Sequence, residues 1–394
     1  MIDLKLVRQN PELMKDNIKK RNLNVDLDAF LEMDKKLISL NQELDEIKNK
    51  KNVFSKLIPT LSKEEKESKL SDMKSMEKEK TINEEIKNLE IDYNNIYYRL
   101  PNFLDETTAI PDDSNTVEDT FLTPTKFDFT PKTHYEIEKK WIDTEKAEIS
   151  TRFWYIKELV FLQFAIVNYA LTVLHSKFLP VLPPVLVREP AMFGTFLPAE
   201  DGTYRVNPDD DDLYLVTAEV PVTSYHAEII EDLNNPIKYV YSSCFRKEAS
   251  AKDMKILRHQ FDKVEMVCFC KPEDSKKLHN EMTAIEEFIR QSMKIPYQKL
   301  NICSDLNPAM KKYDLEAWMP QEKFREVTSC SNVEYQSRRL IRFRDIDKPR
   351  YVHTLNTVIA LSRCLIAIIE NYQTAEGDVI IPEVLRPFMG KTKI

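Results

Sequence analysis

Two heptad runs separated by a proline dominate the first quarter of the chain and leave it few ways to fold. In the first run Met33, Leu37, Leu40, Leu44, Ile47 and Phe54 fall at alternating spacings of three and four, with Lys51 in the missing seam position. In the second, Ile82, Ile86, Leu89, Tyr93, Ile96 and Leu100 repeat the rhythm. Such a rhythm puts one apolar stripe on each helix, and each stripe needs a partner to cover it. Pro59 interrupts the runs, Ser62 and Glu65 make a capping-box start for the second helix, and Pro101 stops it. The pattern predicts an antiparallel helical hairpin with arms roughly 45–55 Å long. Residues 1–103 carry 20 Lys+Arg, 20 Asp+Glu and no glycine. A dimerisation coil or spacer explains such a hairpin as well as a reaching arm does. Lys48, Lys50, Lys51 and Lys56 give it a modest basic footprint suited to a phosphate backbone.

The remaining residues read differently. Residues 104–150 are irregular and rich in Pro, Thr and Asp, as in a linker packed against the domain after it. Beyond them, Val160, Gln163, Phe164, Val167 and Leu171 give a helical period over 160–174. Residues 238–242, 263–269, 298–303 and 326–329 read as strands, and 357–372 as a strongly apolar helix. Strands and helices mix without a βαβ rhythm, so the expected class is α+β with an antiparallel sheet. Net charge is −8, so any nucleic-acid contact must be local. Six cysteines without a C-x-x-C spacing argue against a disulfide scaffold or common zinc site. No apolar signal core opens the chain, and no apolar run nears the ~18 residues of a membrane span, so a cytoplasmic address is expected.

Nucleophile and P-loop signatures are absent, and the six histidines are scattered. Cys268 and Cys270 share a strand face, but no third ligand lies near them in sequence, and no metal role is expected there. Acids and arginines recur instead at strand ends. Arg246 and Glu248 alternate onto one face, where they could hold a phosphate and a base amine together, or simply form an ion pair.

These residues carry a resemblance. Phe245-Arg246-Lys247-Glu248 resembles motif 2 of class II aminoacyl-tRNA synthetases. The segment from Leu257-Arg258-His259-Gln260-Phe261 to Glu265 is similar to its seryl form, as are Thr217-Ala218-Glu219, Lys312-Tyr313-Asp314-Leu315-Glu316 and Ser329-Cys330-Ser331-Asn332. Phe178-Leu179-Pro180-Val181-Leu182-Pro183-Pro184 resembles motif 1, the dimer motif, and Asn356 through Arg363 to Arg386-Pro387 resembles motif 3. The match spans essentially the whole chain.

The resemblance implies a class II antiparallel sheet flanked by helices at 104–394, preceded by an antiparallel coiled-coil arm at 1–103 that binds tRNA. It implies serine activation with ATP and Mg²⁺, transfer to tRNA(Ser) with tRNA(Sec) as a second candidate acceptor, and a homodimer. Arg246 would neutralise the α-phosphate and contact serine; Arg258 and Arg363 would hold the distal phosphates. Phe261 would stack on adenine and Glu248 accept from its amine. Glu326, Val327 and Ser329 would line the nucleotide site, with Glu326 and Ser329 holding Mg²⁺. Thr217, Glu219, Glu265, Asn356 and Thr357 would recognise serine, Thr357 through the hydroxyl.

The sequence also departs from that family. It has 4 glycines, where average usage gives roughly 28. Family glycines are expected, and missing, before Phe178, between Thr195 and Phe196, before Thr217, after Ser304, after Pro320 and after Asn356. Ser362 stands where another precedes the arginine, and an apolar residue is missing between Arg258 and His259. Losing one residue from a strand sends every later side chain to the other face. Two readings are open: the polypeptide carries residues that the written sequence omits, or the chain lacks them and is a synthetase-like paralogue that binds nucleic acid or a partner without aminoacylation. A ligase loading a carrier protein is a third reading, disfavoured by the long hairpin.

Overall fold

The computed structural model describes residues 2–57, 74–109, 115–143, 154–195, 204–206, 213–216, 219–241, 244–245, 260–303, 306, 309–321, 323–334 and 341–394. The chain divides into two compact units, Met1–Pro101 and Asn102–Ile394.

The first unit is helical: α1 (Leu4–Gln9), α2 (Pro11–Lys20), α3 (Leu27–Leu57) and α4 (Lys74–Tyr97). Asp3 caps α1 by accepting from the Lys5 amide, and Asp26 accepts from the Ala29 amide at the start of α3. Leu37, Leu44 and Ile47 of α3 pack on Ile82 and Ile86 of α4, with Leu40, Leu89 and Tyr93 alongside, as the heptads require. Lys51 closes its seam position through an ion pair with Glu79. The hairpin's base differs from the sequence expectation. Phe30 and Asp34 are buried there, whereas Met33 is half-buried. Phe30 stacks on Tyr93 with centroids 4.9 Å apart, and Arg8 donates two 2.7 Å bonds to Asp34. The second helix ends at Tyr97, short of Pro101. The Pro59 turn, the Ser62–Glu65 cap and the Phe54 side chain lie outside the described residues.

The second unit is built on an eight-stranded sheet. Its strands are β1 (Thr116–Phe121), β2 (Leu179–Pro180), β3 (Ile237–Tyr241), β4 (Lys263–Cys270), β5 (Tyr297–Asn301), β6 (Lys311–Met319), β7 (Lys323–Glu334) and β8 (His353–Ala360). Their spatial order is β1-β5-β6-β7-β8-β4-β3-β2. Every pairing is antiparallel except β2 with β3. One sheet face, with Val264, Met266, Cys268, Ala317, Cys330, Leu355 and Ile359, packs on helices α5 (Glu158–Leu174), α6 (Ser275–Ser292) and α7 (Leu361–Asn371) to form the main core. The thiols of Cys268 and Cys270 therefore face that core.

Three expectations need correction. Residues 104–150 are no plain linker: β1 forms the sheet edge, and a helix at His134–Glu138 starts with a capping box from Thr133 and Glu136. In α5 the buried stripe is Leu159, Leu162, Ile166 and Ala170, while Phe164 is exposed. That helix is apolar nearly all round, so periodicity alone could not choose its face. Residues 357–360 continue β8 rather than opening a helix. Thr357, Val358 and Ile359 are β-branched and pair with strands on both sides, and that pairing overrides the apolar run.

Candidate active site

Register assigns each side chain of the four central strands to a face. Glu265, Val358, Ser329 and Asp314 stand in line across β4, β8, β7 and β6. The next row on the same face is Val267, Asn356, Ser331 and Lys312. This is the face opposite the helices. Glu326 and Ser329 are three residues apart, which in a regular strand would put them on opposite faces. A bulge resolves this. Glu326 stands opposite Glu316 and Thr328 opposite Leu315, leaving Val327 without a register partner. Glu326 thereby joins the face of Ser329, and Val327 turns into the core.

On α7, Arg363 Nη1 lies 3.2 Å from Glu326 Oε2 and 3.2 Å from the Glu326 carbonyl oxygen. Burial pushes the Glu326 carboxyl up, but Arg363, Lys312 and Lys263 outweigh it and hold it below its ordinary range. Asp314 lies 3.4 Å from Lys312 Nζ and hydrogen-bonds Ser329. Its burial dominates, and its carboxyl is pushed up.

At the other end of the row, Glu265 is wholly buried. Burial and the charge of Glu219 push its carboxyl well above the ordinary range, against Lys263 and a hydrogen bond from Asn356. Glu219 is the first residue of a short helix, Glu219–Tyr225. Glu265 Oε2 and Asn356 Oδ1 are both buried acceptors without a hydrogen-bond partner. Buried acceptors left in this state cost free energy until a donor reaches them. A ligand ammonium is such a donor, and a half-buried carboxylate beside it favours a cation.

Phe261 lies two residues before the start of β4, buried among Val222, Ile230, Val267 and Phe269, with Lys263 Nζ 5.5 Å from its ring centroid. Phe245 pairs with Gln260 and Cys244 with Phe261. Arg246, Glu248, Arg258 and Thr217 lie outside the described residues.

The structure thus brings together Glu219, Glu265, Asn356, Ser329, Glu326 and Arg363. It does not bring Val327 or Thr357 with them: the Val327 side chain turns into the core and so does not line a nucleotide site. Thr357 pairs with Met266 and Cys330, both core-facing, so its side chain leaves the sheet on the helix side. The expectation that Thr357 meets a substrate hydroxyl is not met, because it directly follows Asn356 in one regular strand. Lys263, Lys312, Asp314 and Ser331 share the site face; the motif segments contain them, but none was given a role from sequence. The alternation Lys312-x-Asp314-x-Glu316 was the available signal.

Glu326 and Ser329 offer one ionised carboxylate and one hydroxyl on the same face. That donor set fits a hard cation that keeps phosphate and water ligands of its own. Among the described residues no group of three or more His, Cys, Asp or Glu could hold a metal alone.

Comparison with known proteins identifies the family. Residues 1–104 match the family model of the seryl-tRNA synthetase N-terminal domain, and residues 204–372 match the class II tRNA synthetase core domain (G, H, P, S and T). A serine–tRNA ligase of Dictyoglomus turgidum is 41% identical over 423 aligned positions, covering 100% of this chain and 99% of the relative. The chain belongs to the seryl-tRNA synthetase family. Another member of this family, the serine–tRNA ligase of Methanosarcina barkeri, is 42% identical over 100% of the chain and 98% of its own length. The structure of seryl-tRNA synthetase from Pyrococcus horikoshii complexed with ATP superposes with a TM-score of 0.87 at 34% identity, covering 100% of this chain and 99% of that one. The cytoplasmic enzyme of Naegleria fowleri in complex with AMP gives 0.82 at 31% identity, over 98% and 95%. The fold is accordingly the α+β class II fold with the seryl-type arm. Because 423 aligned positions hold 394 residues of this chain, at least 29 positions of the Dictyoglomus relative face a gap.

Proposed function

We propose that the chain is a serine–tRNA ligase that forms seryl-adenylate from serine and ATP and transfers the seryl group to the 3′ end of tRNA(Ser). The observation that carries this reading is the pair of orphaned buried acceptors on the site face, Glu265 Oε2 in the row of Ser329 and Asn356 Oδ1 in the next row. They accept from the serine ammonium, and Glu219 adds negative charge beside them.

In the first step a serine carboxylate oxygen attacks the α-phosphorus, and pyrophosphate leaves. Arg246 takes the charge that builds on the α-phosphate, Arg258 and Arg363 hold the distal phosphates, and Glu248 accepts from the adenine amine, whereas Phe261, buried in its apolar cluster, offers adenine no open face. Glu326 and Ser329, with Val327 setting the bulge between them, would hold Mg²⁺. When bound, Mg²⁺ screens the phosphate charges. In the second step a hydroxyl of the terminal ribose attacks the seryl carbonyl carbon, and AMP leaves. No protein nucleophile is needed; catalysis is positioning and charge stabilisation.

The arm of residues 1–103 reaches tRNA by backbone and shape. A homodimer is supported by Leu179 and Leu182, exposed in the segment that resembles the dimer motif. Among the described residues no helix is long and apolar enough to cross a membrane, and we place the chain in the cytoplasm. The test is charging of tRNA(Ser) with labelled serine, with tRNA(Sec) as a second acceptor. A second reading, a paralogue that binds without aminoacylating, is favoured by one observation: Thr357 faces away from the site. Binding of tRNA(Ser) without charging would select it.

A further inference from the structure

Helix α6 buries an unusual polar stripe against the back of the sheet. Ser275, His279, Thr283, Glu286 and Arg290 follow one another at spacings of four, four, three and four, and all are buried. An apolar stripe would cover the same strands without taking polar groups out of water. Arg290 is 0% exposed, and its Nε and Nη1 lack hydrogen-bond partners. A guanidinium held at that cost calls for a role beyond burial.

Two members of the stripe reach the backbone of β7. His279 Nε2 donates to the Cys330 carbonyl at 3.0 Å. A carbonyl can only accept, which fixes the proton on that nitrogen. Arg290 Nη2 donates to the Val327 carbonyl at 3.4 Å. Val327 is the bulged residue, without a register partner in β6. Each carbonyl belongs to the residue directly after a site residue: Val327 follows Glu326, and Cys330 follows Ser329. The Arg290 charge also acts on the thiol of Cys364, the residue directly after Arg363.

We propose that His279 and Arg290 are positioning residues: from behind the sheet they fix the β7 bulge and so aim Glu326, Ser329 and Arg363 at the metal–nucleotide complex. This rests on the reading of Glu326 and Ser329 as residues that hold Mg²⁺ and ATP. Arg290 locks the bulge, and with it the face on which Glu326 emerges. His279 locks the strand three residues on. Neither touches substrate.

The test is Mg·ATP binding by titration calorimetry, with serine binding and thermal unfolding in parallel. The variants are Arg290→Met, Arg290→Lys, His279→Phe and His279→Gln. Arg290→Met and His279→Phe are expected to weaken Mg·ATP by about tenfold or more, the usual size of an outer-shell effect. Serine affinity should stay within about twofold, and Arg290→Lys and His279→Gln, which keep a donor, should recover most of the loss. Folded variants with unchanged Mg·ATP affinity would overturn the proposal. So would equal losses of ATP and serine affinity that track stability, with no rescue by Lys or Gln. If Arg290→Met does not fold, the His279 pair decides by the same criteria. An unsubstituted protein that binds Mg·ATP but shows no serine-dependent exchange sinks the ligase reading and leaves this test intact. One that does not bind Mg·ATP overturns both.

Discussion

Asn356 and Thr357 leave β8 on opposite faces of the sheet. Asn356 stands opposite Val267 and Ser331 on the site face, and Thr357 opposite Met266 and Cys330 on the core face. The expected family glycine between them is the residue whose insertion would bring Thr357 round. A chain with glycine inserted after Asn356 should discriminate serine from alanine in pyrophosphate exchange at least a hundredfold better, since a site built to bond a hydroxyl rejects analogues lacking it by about that or more. In the chain as it stands, Thr357→Val should leave the KM for serine within about twofold, since a group that makes no bond to substrate loses none. A large rise in that KM would place Thr357 at the site after all.

Glu265→Gln removes the buried carboxylate assigned to the serine ammonium. Charged hydrogen bonds contribute about 1.5–3 kcal/mol, so serine affinity should fall roughly 10- to 100-fold. Burial and Glu219 raise the Glu265 carboxyl, so it binds its proton more readily than a free carboxylate. Serine affinity should therefore improve as pH rises while Glu265 ionises, and the Gln variant should lose that dependence. Calorimetry across pH would read both, and a pH-independent unsubstituted protein would contradict the assignment.

Burial lowers both His279 and His353 to about 4, from an ordinary value of 6.5. The unfolded chain then binds more protons than the folded one between those values. Stability is complete above pH 6.5 and is lost as pH falls toward 4, by up to about 3 kcal/mol for each histidine. Urea unfolding of the His279→Gln, His353→Gln double variant should show a flatter decline over that window. An unchanged slope would mean that neither imidazole is held neutral.

If the arm binds tRNA as proposed, cutting residues 28–100 should leave serine-dependent adenylate formation and abolish tRNA charging. Charging that survives the cut would remove the arm from tRNA recognition.

The hairpin was legible because a heptad is a strong, local signal. Its base was not: Asp34 is buried where Arg8 and Tyr93, both far away in sequence, donate to it. The central strands were legible in outline, but β7 runs over Lys323–Glu334, well beyond the four residues 326–329 read as a strand. Its polar residues Ser329, Ser331 and Asn332 are strand residues through pairing on both sides. The bulge at Val327 left no trace in sequence, although it decides that Glu326 and Ser329 share a face. The site residues themselves came from motif resemblance, and the face of Thr357 came from counting residues along a strand.

The missing glycines have a direct physical check. Intact mass at 46.3 kDa would establish that the polypeptide lacks those residues. A mass higher by the weight of roughly two dozen glycines, the shortfall against average usage, would establish that it carries them.

Amino-acid-dependent ATP–pyrophosphate exchange, with serine against threonine, alanine, glycine and cysteine, tests the central claim most directly. Serine-dependent exchange is expected, and it should be abolished by Glu265→Ala or Arg363→Ala. A folded, dimeric protein that exchanges with none of the five would contradict it.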